Sequence, residues 1–101
     1  MTEYTLGRIV RVGSEPTSIV SLGQNLPLVF IGGPCAIESR DHALKVAHLI
    51  AGICDRLDMP WIYKSCYDKD CRSSASSFHG VGIEEGLEIL QSVRQEIGVP
   101  V

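Results

Sequence analysis

Two short apolar runs and two longer amphipathic stretches alternate along most of the chain. The runs at residues 27–31 and 60–66 begin with apolar residues that follow one another without alternation. Strands that are apolar on both faces are typical of parallel sheets covered by helices. Residues 8–12 and 17–20 are shorter β-like runs separated by Gly13-Ser-Glu-Pro16, which predicts an N-terminal β-hairpin.

The first amphipathic stretch predicts a helix of about four turns. Ser39 is placed to cap its N-terminus, and Asp41 in the first turn favours the positive end of the helix dipole. The helix should end before Pro60, because the residue preceding a proline is driven out of helical geometry. Its predicted apolar stripe consists of Leu44, Ala47, Ile50, Ala51, Cys54 and Leu57.

The second amphipathic stretch predicts a helix over residues 83–97. Glu84 and Glu85 lie near its N-terminus, and Gly98 is suited to end it. The predicted apolar stripe comprises Ile83, Leu87, Leu90, Val93 (or Arg94) and Ile97.

A proline recurs at the entry to each apolar run, at Pro27, Pro60 and Pro100, with spacings of 33 and 40 residues. Strand–helix units repeating at this length are typical of right-handed βαβ crossovers in a parallel sheet. A third strand should begin near residue 99, so the pattern predicts an α/β fold that continues into further strands. We predict a hairpin extension at residues 1–26 and the α/β unit at residues 27–101.

Composition narrows the function classes. The chain has 101 residues, 45% of them hydrophobic, and a formal net charge of −3. It carries no basic stripe, which argues against a nucleic-acid partner, and no apolar run of the roughly 20 residues that a membrane span needs. Residues 1–6 do not resemble a signal peptide, so we expect a cytoplasmic protein. The four cysteines are irregularly spaced, which favours reduced thiols over a disulfide framework or a zinc finger.

Cations are concentrated where the run at residues 60–66 ends. Two of the three lysines, Lys64 and Lys69, lie here, followed by Arg72, Ser73 and Ser74. Lysine offers a point charge to phosphate and arginine a bidentate fork. The carboxyl ends of parallel strands are also where ligands bind in α/β folds. We therefore expect a site for a phosphate or carboxylate, with a solvated polar loop as the alternative.

Four motifs in order resemble the family of 3-deoxy-D-manno-octulosonate 8-phosphate synthases. They are Gly33-Pro-Cys-Ala-Ile-Glu-Ser39, Lys64-Ser-Cys-Tyr-Asp-Lys69, Arg72-Ser-Ser74 and Gly82-Ile-Glu-Glu-Gly-Leu87. The resemblance implies a (β/α)₈ TIM barrel, often a homotetramer. The family condenses phosphoenolpyruvate with arabinose 5-phosphate, a step towards lipopolysaccharide. The chain would supply the first two βα units and the start of the third strand, preceded by the hairpin.

The resemblance also implies residue roles. Lys64 and Lys69 match catalytic lysines that hold phosphoenolpyruvate, with Ser65 beside them in the substrate-binding loop. Arg72, Ser73 and Ser74 match the segment that binds arabinose 5-phosphate. Cys35 matches a ligand for a divalent metal cation, whose other ligands lie in later strands of the family's barrel.

Several positions depart from the family pattern, and two other interpretations stay open. Asp70, Cys71 and His79 stand where the family has alanine, asparagine and arginine. One alternative is a 3-deoxy-D-arabino-heptulosonate 7-phosphate synthase-like enzyme, which shares the Gly-Pro-Cys turn but usually has a different second loop. The other is a catalytically inactive fragment. Within the first interpretation, we expect the chemistry to require the rest of the barrel.

Overall fold

The computed structural model describes residues 7–68 and 80–101, which form a mixed α/β arrangement. Its elements are β1 (Val10–Val12), β2 (Val20–Leu22), β3 (Phe30–Gly32), α1 (Arg40–Leu57), β4 (Trp61–Tyr63) and α2 (Ile83–Ile97).

The N-terminal hairpin is present. β1 and β2 pair in antiparallel fashion, with Arg11 opposite Ser21. The second strand lies later than the predicted run at residues 17–20. The turn contacts the C-terminal end of α2, since the Ser18 amide donates to the Gly98 carbonyl at 2.9 Å and the Arg94 guanidinium donates to the Ser14 hydroxyl at 3.0 Å.

β3 and β4 form the predicted parallel pair, with Ile31 opposite Ile62. Both strands are shorter than the apolar runs that predicted them. The Tyr63 amide donates to the Pro100 carbonyl at 2.9 Å. Residues 99–101 therefore approach β4 on the side away from β3, as expected for the start of a further parallel strand.

Residues at the ends of the two helices account for where the helices begin or end. The Ser39 hydroxyl accepts a hydrogen bond from the His42 amide at 3.1 Å, as predicted for the N-cap of α1. That helix ends at Asp58, whose φ of 52° is left-handed. The predicted bounds of α2 are confirmed, and Gly98 ends it with a φ of 82°.

The core lies between the two helices and β4. It comprises Ile37, Ala43, Ala47, Cys54, Trp61, Tyr63, Ile89 and Val93. Burial confirms the predicted structural role of Cys54, and Trp61 is 3% exposed.

The predicted apolar stripes are wrong at three positions. Leu57 of α1 is 64% exposed, and Ile83 and Leu87 of α2 are each 54% exposed. α2 buries the predicted Val93 and also Gly86 and Ile89. Val93 and Ile89 belong to the core cluster shared with α1 and β4, whereas Gly86 lies against Tyr67. Periodicity identified amphipathic helices, but it did not separate the apolar positions that pack here from those that do not.

The described residues contain no helix that is both long and apolar enough to cross a membrane. Within the same residues Cys35, Cys54 and Cys66 are free thiols.

Candidate substrate-binding edge of the parallel strands

The carboxyl ends of β3 and β4 lie side by side and bring two predicted site residues to one edge of the sheet. Cys35 follows β3 by three residues, and Lys64 follows β4 directly. Both side chains belong to exposed residues. Parallel pairing is the reason for this proximity, because it places the two strand ends at the same edge.

Backbone hydrogen bonds continue past the strands and join the two connecting segments. The Lys64 amide donates to the Gly32 carbonyl at 3.2 Å, and the Cys66 amide donates to the Cys35 carbonyl at 3.2 Å. The Ile37 amide then donates back to the Cys66 carbonyl at 2.9 Å. The segments at residues 33–37 and 64–66 therefore form an extension of the sheet.

Gly33 allows this close approach. A Cβ added to Gly33 would overlap the backbone carbonyl oxygen of Lys64 and would also lie 3.2 Å from the Tyr63 ring. Since the obstructing atom belongs to the backbone, a larger residue could be accommodated only by separating the two segments. Gly33 belongs to the motif at residues 33–39, but its contact with Lys64 joins residues 31 positions apart and could not be read from that motif.

Lys64 provides exposed positive charge at this edge. Its backbone is held through the amide, and no carboxylate of the described residues forms an ion pair with its amine. Because side chains alternate along an extended segment, Lys64 points to the opposite side from the buried Tyr63. The amine is thus directed away from the helices that cover the other face.

Ser65 uses its hydroxyl to bind the neighbouring segment. The half-buried Ser65 Oγ donates to the Pro34 carbonyl at 2.5 Å. This hydroxyl retains lone pairs but has no further proton to donate. The predicted contact between Ser65 and a substrate is not tested by this geometry.

Tyr63 carries a buried phenol just below this edge. The residue is 1% exposed, and its hydroxyl has no hydrogen-bond partner within the described residues. Burial raises the pKa of the Tyr63 phenol, and the nearby Ser65 side chain opposes part of that rise. The Ser65 proton is directed at the Pro34 carbonyl and not at the phenol.

Tyr67 joins the two ends of the long loop. The Gly82 amide donates to the Tyr67 carbonyl at 2.9 Å. Side chains added to Gly80 or Gly86 would overlap Tyr67. These contacts hold residue 67 against the start of α2. The sequence predicts a packing role for Tyr67, and the glycines around Gly82 were the available signal for these particular contacts.

Most of the predicted substrate-binding residues lie outside the described residues. These are Lys69, Arg72, Ser73 and Ser74, together with the departures Asp70, Cys71 and His79. Their predicted roles stay predictions.

The residues that the structure describes do not complete a metal site. No group of three or more His, Cys, Asp or Glu side chains in residues 7–68 and 80–101 could hold an ion. Cys35 is an exposed thiol and supplies a single soft donor, whereas protein sites for divalent transition metals generally use three or four ligands. A metal therefore does not fit this chain's described residues alone.

A separate cleft of about 270 Å³ lies at the amino ends of the strands, away from Lys64. Val20, Cys54, Met59 and Trp61 are among its lining residues. Burial is the main reason that the pKa of the Cys54 thiol is raised, and the nearby Asp55 carboxylate adds to this. That shift favours the protonated, less reactive form of the thiol.

Comparison with known proteins identifies the family. A sequence model described as the DAHP synthetase I family matches residues 10–101. The chain belongs to this family.

Three relatives of this DAHP synthetase I family chain carry the same name. A protein of Synechococcus sp. is 51% identical over 96 residues, which cover 95% of this chain and 34% of the relative. A protein of Acidithiobacillus ferrooxidans is 54% identical over 79 residues, 78% of this chain and 28% of the relative. A protein of Granulibacter bethesdensis is 48% identical over 94 residues, which cover 93% of this chain and 32% of the relative. Each is named 2-dehydro-3-deoxyphosphooctonate aldolase, and the chain spans about a third of their length.

Proposed function

We propose that this chain is the N-terminal third of a 3-deoxy-D-manno-octulosonate 8-phosphate synthase. Its strand-end edge would bind phosphoenolpyruvate for condensation with arabinose 5-phosphate. The observation that carries the proposal is the parallel pairing of β3 with β4, which brings the Gly33–Ser39 motif against Lys64. The relatives' name denotes this same synthase, which favours the eight-carbon product over the heptulosonate alternative.

Lys64 has the chemistry that the proposed reaction needs. Phosphoenolpyruvate carries a phosphate and a carboxylate, and an exposed ammonium at the end of β4 can balance that charge. As a carbon–carbon bond forms to the sugar aldehyde and phosphate leaves, a fixed cation also stabilises negative charge on the reacting groups. Lys69 would add a second cation. Arg72, Ser73 and Ser74 would bind the phosphate of arabinose 5-phosphate.

We further propose that Cys35 is one ligand of a divalent metal in the complete enzyme. The exposed thiol at the end of β3 supports this assignment, and the remaining ligands would come from outside the described residues. The proposed barrel and homotetramer follow from the resemblance alone. On this proposal the isolated 101-residue chain binds substrate weakly and does not turn it over.

A hybrid enzyme tests the proposal. Residues 7–101 replace the matching segment of the Synechococcus relative, and octulosonate phosphate formation is measured with both substrates. We expect activity that Lys64→Ala reduces by at least about a hundredfold, the range seen on removing one group that stabilises transition-state charge. Lys45→Ala alters an exposed lysine on α1 and is the matched control, expected to retain activity.

The same hybrid separates the two alternatives. Activity with erythrose 4-phosphate in place of arabinose 5-phosphate would favour the heptulosonate synthase. An inactive hybrid that folds, and that Asp70→Ala, Cys71→Asn and His79→Arg together do not restore, would favour the non-catalytic fragment. An inactive hybrid that these three changes restore would assign the loss to the loop.

A further inference from the structure

We infer that Ser65 is a positioning residue that fixes the Cys35 segment relative to Lys64. The inference rests on the proposed function for its consequence in substrate binding. Its structural part, the connection between two segments, can be measured independently.

The two peptide units that flank the Cα of Cys35 are both bonded to the segment after β4. The Pro34 carbonyl, on the amino side, accepts from the Ser65 hydroxyl. The Cys35 carbonyl, on the carboxyl side, accepts from the Cys66 amide at 3.2 Å. The orientation of the Cys35 backbone is therefore determined by residues 65 and 66.

Ser65 supplies the only side-chain hydrogen bond between these segments among the described residues. The main-chain bonds of Lys64, Cys66 and Ile37 form with any side chain at position 65, so they explain the extension of the sheet but not the choice of serine. Pro34 stands between Gly33, whose backbone lies against the Lys64 carbonyl, and the exposed Cys35. Without the hydroxyl, the Pro34 carbonyl would lose its partner.

The position of Ser65 in sequence gives the bond a functional consequence. Ser65 directly follows Lys64, whose own amide is bonded to Gly32. The lysine backbone is thus held on its amino side by β3 and on its carboxyl side by Pro34. A binding cation held at both sides loses less conformational freedom when an anion arrives, which improves affinity without a new contact.

The hydroxyl orientation distinguishes positioning from direct substrate contact. The Ser65 proton is directed at a backbone carbonyl, so it is not available to donate to a phosphate or carboxylate oxygen. Anionic substrates require donors. We therefore assign Ser65 to holding the loop.

Amide hydrogen exchange on the 101-residue chain tests the structural part. We expect Ser65→Ala to accelerate exchange at the Cys66 and Ile37 amides by about tenfold, the equivalent of one hydrogen bond. Ser65→Thr, which keeps the hydroxyl, should restore protection. Ser92→Ala is the matched control, because the Ser92 hydroxyl also donates to a backbone carbonyl, that of Glu88 at 3.1 Å, within α2.

Titration with phosphoenolpyruvate tests the functional part. The dissociation constant should rise several-fold in Ser65→Ala, return in Ser65→Thr and stay unchanged in Ser92→Ala. Unchanged exchange in Ser65→Ala would overturn the inference, and weaker binding without faster exchange would indicate direct contact instead. Faster exchange with unchanged affinity would equally overturn the positioning role. If the unaltered chain binds no phosphoenolpyruvate, the proposed function fails for this chain, and exchange alone decides whether Ser65 connects the segments.

Discussion

Individual residues at the strand ends are constrained by backbone contacts more than by side-chain packing. Gly33 lies against the Lys64 carbonyl, Ser65 donates to Pro34, and Gly80 and Gly86 lie against Tyr67. These contacts leave Lys64 with its amine exposed and its main chain held. A substitution at a supporting residue should therefore alter the site without removing a charged group.

Gly33→Ala should destabilise the chain by about 1–3 kcal/mol, the usual cost of forcing extra volume into a packed site. The added Cβ would overlap the Lys64 carbonyl, and the two segments would have to separate. Chemical denaturation measures the change in the free energy of unfolding. Gly52→Ala is the control, because its nearest contact would be the flexible Arg56 side chain at 3.7 Å, and helical alanine should instead stabilise by about 0.5–1 kcal/mol. Equal effects would contradict the close approach at Gly33.

The buried phenol and thiol should make stability fall at alkaline pH. Burial raises the pKa of both Cys54 and Tyr63, so the folded chain keeps these protons to higher pH than the unfolded chain. Their contribution to the free energy of unfolding is complete below the pKa values of the unfolded chain, about 8.5 for the thiol and about 10 for the phenol. It is lost as the pH rises through the higher pKa values of the folded chain.

Urea unfolding across this pH range separates the two groups. Cys54→Ala should reduce the fall in the free energy of unfolding that begins above about pH 8.5. Tyr63→Phe should reduce the fall that begins above about pH 10. At neutral pH, Tyr63→Phe should be neutral or slightly stabilising, since the hydroxyl has no partner within the described residues. A clear loss of stability at neutral pH would show that the phenol makes a bond.

At the scale of elements, each helix has one packed apolar face and another that is exposed. Leu49, Ile53 and Leu57 follow one another at four-residue spacing on α1 and are 62%, 46% and 64% exposed. In α2, Ile89 is 3% exposed, while Ile83 is 54% exposed. Helix–helix and helix–strand packing therefore account for only part of the apolar surface of each helix.

Two isoleucines of α2 provide a matched test of this division. Ile89→Ala should lower the free energy of unfolding by about 2–5 kcal/mol, because it removes buried methyl groups from the core. Ile83→Ala makes the same chemical change at an exposed position and should alter stability by less than about 0.5 kcal/mol. Similar losses at both positions would mean that Ile83 is also packed.

Local sequence signals predicted the helices and strands well, whereas features that depend on contacts between distant residues could not be predicted. Ser39 and Gly98 defined helix ends because capping depends on neighbouring residues. The exposure of Leu57 could not be predicted, since periodicity does not identify which surfaces of a helix find partners. The bond from Ser65 to Pro34 could not be predicted either, because it depends on the register between strands that are distant in sequence.

At the scale of the whole molecule, the open surfaces match a chain that covers about a third of its relatives' length. Phe30 and Ile31 of β3 are 43% and 50% exposed, although a parallel sheet normally has both faces covered. Residues 99–101 approach β4 on its other side. The chain thus presents one edge with a cation and a thiol, while the described residues lack the groups that would complete a metal site.

Titration of the 101-residue chain with phosphoenolpyruvate, followed by nuclear magnetic resonance, tests the central claim most directly. We predict weak binding, with a dissociation constant on the order of 1 mM, equivalent to about −4 kcal/mol. Lys64→Ala should weaken it by at least about tenfold, and Lys45→Ala should leave it within about twofold, because Lys64 follows β4 at the strand-end edge whereas Lys45 lies on α1. Absence of binding, or equal affinity in the two variants, would contradict the assignment of this edge as the phosphoenolpyruvate site.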